Sequence, residues 1–134
     1  MNMTNIDQIQ LKITTGNNDL KRNHRVFLGF SGRQGREFRC RENNGDGNPF
    51  KSNSTVTITF GNLSNVEKPD FNDPRNTPTD DLQVGRAYLR IDPDSENEWL
   101  IKDAQVFING VLTHQLRIPN IILDEDGSEK VHLD

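Results

Sequence analysis

The chain has 134 residues, a net charge of −4 and a hydrophobic content of 31%, enough for one domain around one core and too little for two. The acidic balance argues against nucleic-acid binding driven by bulk charge, because phosphate recognition is largely cation-driven. A single cysteine, Cys40, cannot form an internal disulfide, and no apolar run is long enough to span a membrane.

The opening MNMTNIDQIQ has neither a basic nor an apolar leader segment, so a cytoplasmic origin is expected, with particle-borne transport or non-classical export as the alternatives. Residues 1–8 are expected to be a flexible segment and 9–134 a single domain. From residue 9 onward the pattern is period-two alternation. Ile9, Leu11 and Ile13 share one face of a strand, and Val26, Leu28 and Phe30 share one face of the next. Phe38 and Cys40 point inward while Arg39 and Arg41 point outward; then come Val56, Ile58 and Phe60. Ala87, Leu89 and Ile91 make a fifth strand, and WLIKDAQVFI a sixth that meets VLTHQL at Asn109-Gly110. That dipeptide supplies the two positive-φ positions of a type I′ turn, which makes it the strongest hairpin signal in the chain. IIL and KVHL flank DEDGS, a further turn. Helical periodicity is not sustained anywhere. Short strands separated by turn signals predict an all-β fold, an antiparallel β-sandwich of about eight strands. The segment 61–86, with Pro69, Pro74 and Pro78, reads as a long loop, of the length that is often functional or mobile.

If successive strands run in opposite directions, the first, third and fifth connections lie at one end of the sandwich. These are 15–24, 42–54 and 92–98, all rich in oxygen-bearing side chains. Calcium takes six to eight oxygens, and convergent loops can supply them. Asn17, Asp19, Asn23, Asp92, Asp94 and Glu96 are the candidate ligands. The same residue types also serve turns, through Asx and left-handed conformations, so turn chemistry and a calcium site both remain open. No EF-hand pattern is present.

The order of these features resembles the PLAT/LH2 (lipoxygenase homology) domain family. The opening strand ends in Thr15-Gly16; Val26-Phe27-Leu28 leads into a turn from Gly32 to Gly35; Phe50 precedes a strand ending in Phe60. Leu89-Arg90-Ile91-Asp92 is followed by Trp99-Leu100, with Val106 seven residues past the tryptophan. The resemblance covers roughly residues 9–108. It implies an eight-stranded sandwich that docks a protein onto a membrane or a protein partner, often with calcium at one end. Asp92 matches the family's aspartate before the tryptophan. Lys21-Arg22-Asn23-His24 stands where the family has Ala-Gly-Thr-Asp, an amide among cations that implies weaker calcium binding.

The remaining chemistry-bearing residues are read more plainly. Trp99 and Phe50 belong to the core, and Cys40 is a small buried hydrophobe. Arg33, Arg36, Arg39 and Arg41, with Lys21, Arg22 and Arg25, form a basic region that reads either as a solvated strand face or as a patch for acidic headgroups or partners. His24, His114 and His132 lack metal-ligand spacing, and no nucleophile, P-loop or Rossmann motif occurs. The expectation is a non-catalytic binding module for a lipid or protein surface, with weak calcium. The alternatives are a structural subunit of a bacterial or viral assembly and a carbohydrate-binding sandwich; one Trp and one Tyr are poor provision for the last.

Overall fold

The computed structural model describes residues 6–17, 26–31, 36–40, 50–66, 73–75, 86–91, 99–117, 119–123 and 130–134. Nine strands occur among them: β1 (Gln8–Thr15), β2 (Val26–Phe30), β3 (Arg36–Arg39), β4 (Thr55–Gly61), β5 (Ala87–Ile91), β6 (Trp99–Ile108), β7 (Val111–Gln115), β8 (Ile121–Leu123) and β9 (Lys130–Leu133). They form two antiparallel sheets, one ordered β4-β1-β6-β7 with β8 also on β6, the other ordered β3-β2-β5-β9. The fold is the antiparallel β-sandwich that the alternation predicts. The core lies between the sheets: Ile9, Leu11 and Ile13 from β1, Leu28 and Phe30 from β2, and Ala87, Leu89 and Ile91 from β5 are all buried. Phe38 meets Phe60 across the layers at 5.4 Å between centroids, and Phe30 meets the buried His114 at 5.6 Å.

Ile6 lies in the core, and Asp7 and Gln8 are hydrogen-bonded into the sheet end. Within 61–86, Val66 and Pro74 are buried, so parts of the long connection pack against the sandwich. Asn65 covers the open side of β4: its amide oxygen accepts the Thr59 N–H at 2.8 Å, and its amide nitrogen donates to the Thr57 carbonyl at 3.0 Å. An edge strand closed this way offers no template for pairing.

One irregularity sets which side chains of β6 face inward. Thr14 pairs with Asp103 and Thr15 with Ile101, leaving Lys102 as the extra residue of a β-bulge. Without that extra residue, Trp99 and Ile101 would face away from the side that Ala104, Val106 and Ile108 occupy. The Asp103 carboxylate accepts the Ala104 N–H at 2.9 Å and fixes the bulge. The Asn109-Gly110 turn has φ values of 50° and 81°, as its sequence requires.

Candidate functional site

One end of the sandwich gathers the strand ends that the parity argument predicts. Val26 pairs directly with Ile91, so the connections 16–25 and 92–98 leave from adjacent strands. Thr15 and Trp99 are joined by the indole N–H, which donates to the Thr15 hydroxyl oxygen at 3.1 Å, fully buried. Gly16 donates to the Leu100 carbonyl and accepts the Asn53 N–H, each at 2.8 Å, and Thr15 donates to the Ser54 carbonyl at 2.9 Å. The first, third and fifth connections are therefore stitched together at their bases. Trp99 is core, with Phe50 against it at 4.8 Å between centroids.

Of the six candidate ligands, Asn17 is exposed at this end, next to Gly16. Asp19, Asn23, Asp92, Asp94 and Glu96 lie outside the described residues. Among the described residues, no group of three His, Cys, Asp or Glu is placed to hold a metal ion. The parity argument missed a fourth connection here. β7 and β8 both run antiparallel to β6 and take successive stretches of its edge, so the chain does not reverse between them. Leu123 consequently ends beside Trp99 and Lys130 begins beside Arg90, so both strand ends that flank residues 124–129 lie at this end.

The outer face of the four-stranded sheet carries a second constellation. Across it run two rows, Arg39–Phe27–Arg90–Lys130 and Glu37–Gly29–Tyr88–His132. Arg90 holds Glu37 in a two-pronged ion pair, with bonds of 2.8 and 2.9 Å, and lies 4.4 Å from the Phe27 ring centroid. Tyr88 donates its hydroxyl to Glu37 at 2.8 Å, and the Lys130 ammonium sits 4.0 Å from the Tyr88 ring centroid. Gly29 makes this possible: a β-carbon there would collide with the Tyr88 ring, which lies across the glycine. The hydrogen bond from Arg90 holds the Glu37 carboxyl below its ordinary value, against the opposing effect of burial. Burial, then the bond to Glu37, pushes the Tyr88 phenol up to about 12.

The basic region predicted from sequence is divided by the fold. Arg39 belongs to this outer face, whereas Arg36 turns to the opposite end, where it lies 4.6 Å from the Phe38 ring centroid and donates to the Asp73 carbonyl at 2.7 Å. Lys21, Arg22, Arg25, Arg33 and Arg41 lie outside the described residues. Cys40 is buried, and desolvation pushes its thiol well above its ordinary range, which leaves no thiolate for nucleophilic chemistry. Sequence alternation did not reveal the Glu37–Tyr88–Arg90 cluster, because its members are brought together only by sheet register. A lone Gly29 between two large apolar residues of a strand was its one visible signal.

The architecture defines an antiparallel two-sheet β-sandwich, and known structures share it. The chain is similar to the alpha toxin of Clostridium absonum, with a TM-score of 0.67 at 15% identity, covering 100% of this chain and 33% of the toxin. It is similar also to the alpha-toxin of Clostridium perfringens from avian strain SWCP, with a TM-score of 0.66 at 18% identity, covering 98% of this chain and 32% of the toxin. The chain thus spans about a third of the length of each toxin. At this identity the likeness is one of fold. No protein-family model and no curated protein matches the chain.

Proposed function

We propose that the chain is a non-catalytic binding module that docks onto a lipid or protein surface through the end where its oxygen-rich connections gather, with calcium as a weak or optional ligand. The observation that carries this reading is the stitched base of that end: Thr15–Gly16, Asn53–Ser54 and Trp99–Leu100 are tied by direct hydrogen bonds. A rigid base presenting several polar loops is how sandwich folds build adaptable binding ends. The resemblance to PLAT/LH2 domains supports it, since that resemblance implies docking of this kind.

Asn17, Asp19, Asn23, Asp92, Asp94 and Glu96 are the residues that would hold calcium. A thermal melt in excess calcium against excess EDTA tests the metal. A ligand that binds only the folded state at 100 times its Kd stabilises by about 2.7 kcal/mol. The account expects an upward shift that disappears in an Asp92→Ala, Asp94→Ala variant. No shift would leave docking without calcium, and the docking itself is tested by vesicle flotation in calcium and in EDTA.

A further inference from the structure

An Asn-Gly pair is chemically labile, because glycine has no side chain to shield its backbone nitrogen. At Asn109-Gly110 the Gly110 nitrogen, after losing its proton to base in the solvent, can bond to the Asn109 Cγ. The Cγ–Nδ2 bond then breaks, and Nδ2 leaves as ammonia with a proton taken from water. Water opens the resulting succinimide at either carbonyl, giving aspartate or isoaspartate. Both residues are exposed, and nothing lies within 4 Å of where a Gly110 β-carbon would stand, so water and base reach this turn.

The fold nevertheless holds the reacting atoms apart. The φ values of 50° and 81° are those of a type I′ turn, in which ψ of the first central residue is about +30°. For an L-residue at that ψ, the Gly110 nitrogen stands nearly opposite the Asn109 β-carbon about the Cα–C bond. Closing a five-membered ring needs the two nearly eclipsed, so the 109–110 peptide must turn over before attack. The side chain is gripped as well. Its oxygen accepts the Asp7 N–H at 2.7 Å and the Gln8 N–H at 3.1 Å, and the Asn109 N–H donates to the Gln8 carbonyl at 2.8 Å. The gripping segment is itself fixed: Ile6 is 1% exposed in the core, the Asp7 carbonyl accepts the Asn62 N–H at 2.9 Å, and the Gln8 side-chain amide donates to the Asn62 carbonyl at 2.9 Å.

We propose that Asn109 is a deamidation site gated by residues 6–8, which reacts only when that segment lifts and the turn opens. The gate lies at the end of the sandwich away from the Thr15–Trp99 base and does not depend on the docking reading. Its two products differ in consequence. Aspartate keeps the backbone unchanged, and its carboxylate accepts the same two N–H donors. Isoaspartate adds a methylene to the main chain, so the turn and the Ile108–Val111 pairing cannot both be kept. Local opening of the kind that hydrogen exchange detects is thereby converted into a permanent release of the hairpin end.

The test is incubation of the whole chain in mildly alkaline buffer, followed by trypsin and mass spectrometry of the peptide 103–117, with electron-transfer fragmentation to separate aspartate from isoaspartate. Folded wild type is compared with wild type in urea, with Ile6→Ala and Asp7→Pro, each confirmed as folded by circular dichroism, and with Thr15→Val, which removes a buried hydrogen bond at the far end. Two lost hydrogen bonds correspond to about tenfold, so Asn109 in the folded chain should deamidate at least about tenfold more slowly than in urea. Whichever of Ile6→Ala and Asp7→Pro folds should react faster than wild type by about two- to tenfold, and Thr15→Val should leave the rate unchanged. Equal rates in the folded and urea-unfolded chain would overturn the inference. Folded Ile6→Ala or Asp7→Pro reacting no faster than wild type would overturn gating by residues 6–8. Thr15→Val accelerating the reaction as much as they do would also overturn it, in favour of global unfolding as the gate.

Discussion

Thr15→Val isolates the contact that ties the loop end to the core. Valine matches threonine in shape, so no cavity opens, but the buried Trp99 indole N–H loses its acceptor at 3.1 Å. Both residues are fully buried, at 1% and 0% exposure, so water cannot replace the lost oxygen. An orphaned buried donor costs about 1–3 kcal/mol, which at this chain length corresponds to a fall in Tm of roughly 3–5 °C per kcal/mol. The assay is urea denaturation followed by circular dichroism, run as a double-mutant cycle with Trp99→Phe. In the phenylalanine background there is no indole N–H to orphan, so Thr15→Val should cost little there, and the coupling should be about 1 kcal/mol or more. Equal losses in both backgrounds, or none in either, would refute the claim that this hydrogen bond anchors Trp99 to the Thr15 end.

Three further outcomes follow from the outer face. Gly29→Ala should lower stability by about 1–3 kcal/mol, because the new methyl must displace the Tyr88 ring; in a Tyr88→Ala background the same change should be nearly neutral by urea midpoint. The Glu37 carboxyl has a folded pKa below its ordinary 4.5, so it binds its proton less tightly folded than unfolded. Its stabilising contribution is complete above about that pH and is lost as pH falls through the depressed value, so Glu37→Gln should flatten the acid limb of a Tm–pH profile. Tyr88 is the only tyrosine, and its ultraviolet titration should centre near 12. Since a raised folded pKa means the phenol binds its proton more tightly when folded, its contribution fades as pH rises from the ordinary 10 through that value. Glu37→Gln should move the titration midpoint down.

About eight strands were expected from the sequence, and nine occur among the described residues; most were legible because alternation needs only local information. Ile9, Leu11 and Ile13 announce their face without reference to any other strand, and Asn109-Gly110 announces its turn by φ requirement alone. Val56, read as inward, is only half-buried beside the edge. What was not legible depends on pairing. The bulge at Lys102 resets the alternation of β6 only because β1 lies opposite, and β7 and β8 share one edge only because β6 is long enough to hold both. The Tyr88–Glu37 bond joins residues 51 apart in sequence and requires β2 between them to carry a glycine. At the oxygen-rich end, the bases of the connections follow from strand parity, whereas ligand geometry depends on loop conformation, which parity does not specify.

Equilibrium binding of the whole chain to anionic vesicles, by flotation in calcium and in EDTA beside neutral phosphatidylcholine vesicles, tests the docking account most directly. The account predicts that the chain floats with anionic vesicles in EDTA, and that calcium leaves the bound fraction unchanged or raises it. A chain that stays in the dense fraction with every vesicle, with and without calcium, would contradict docking on lipid and leave a protein surface as the partner.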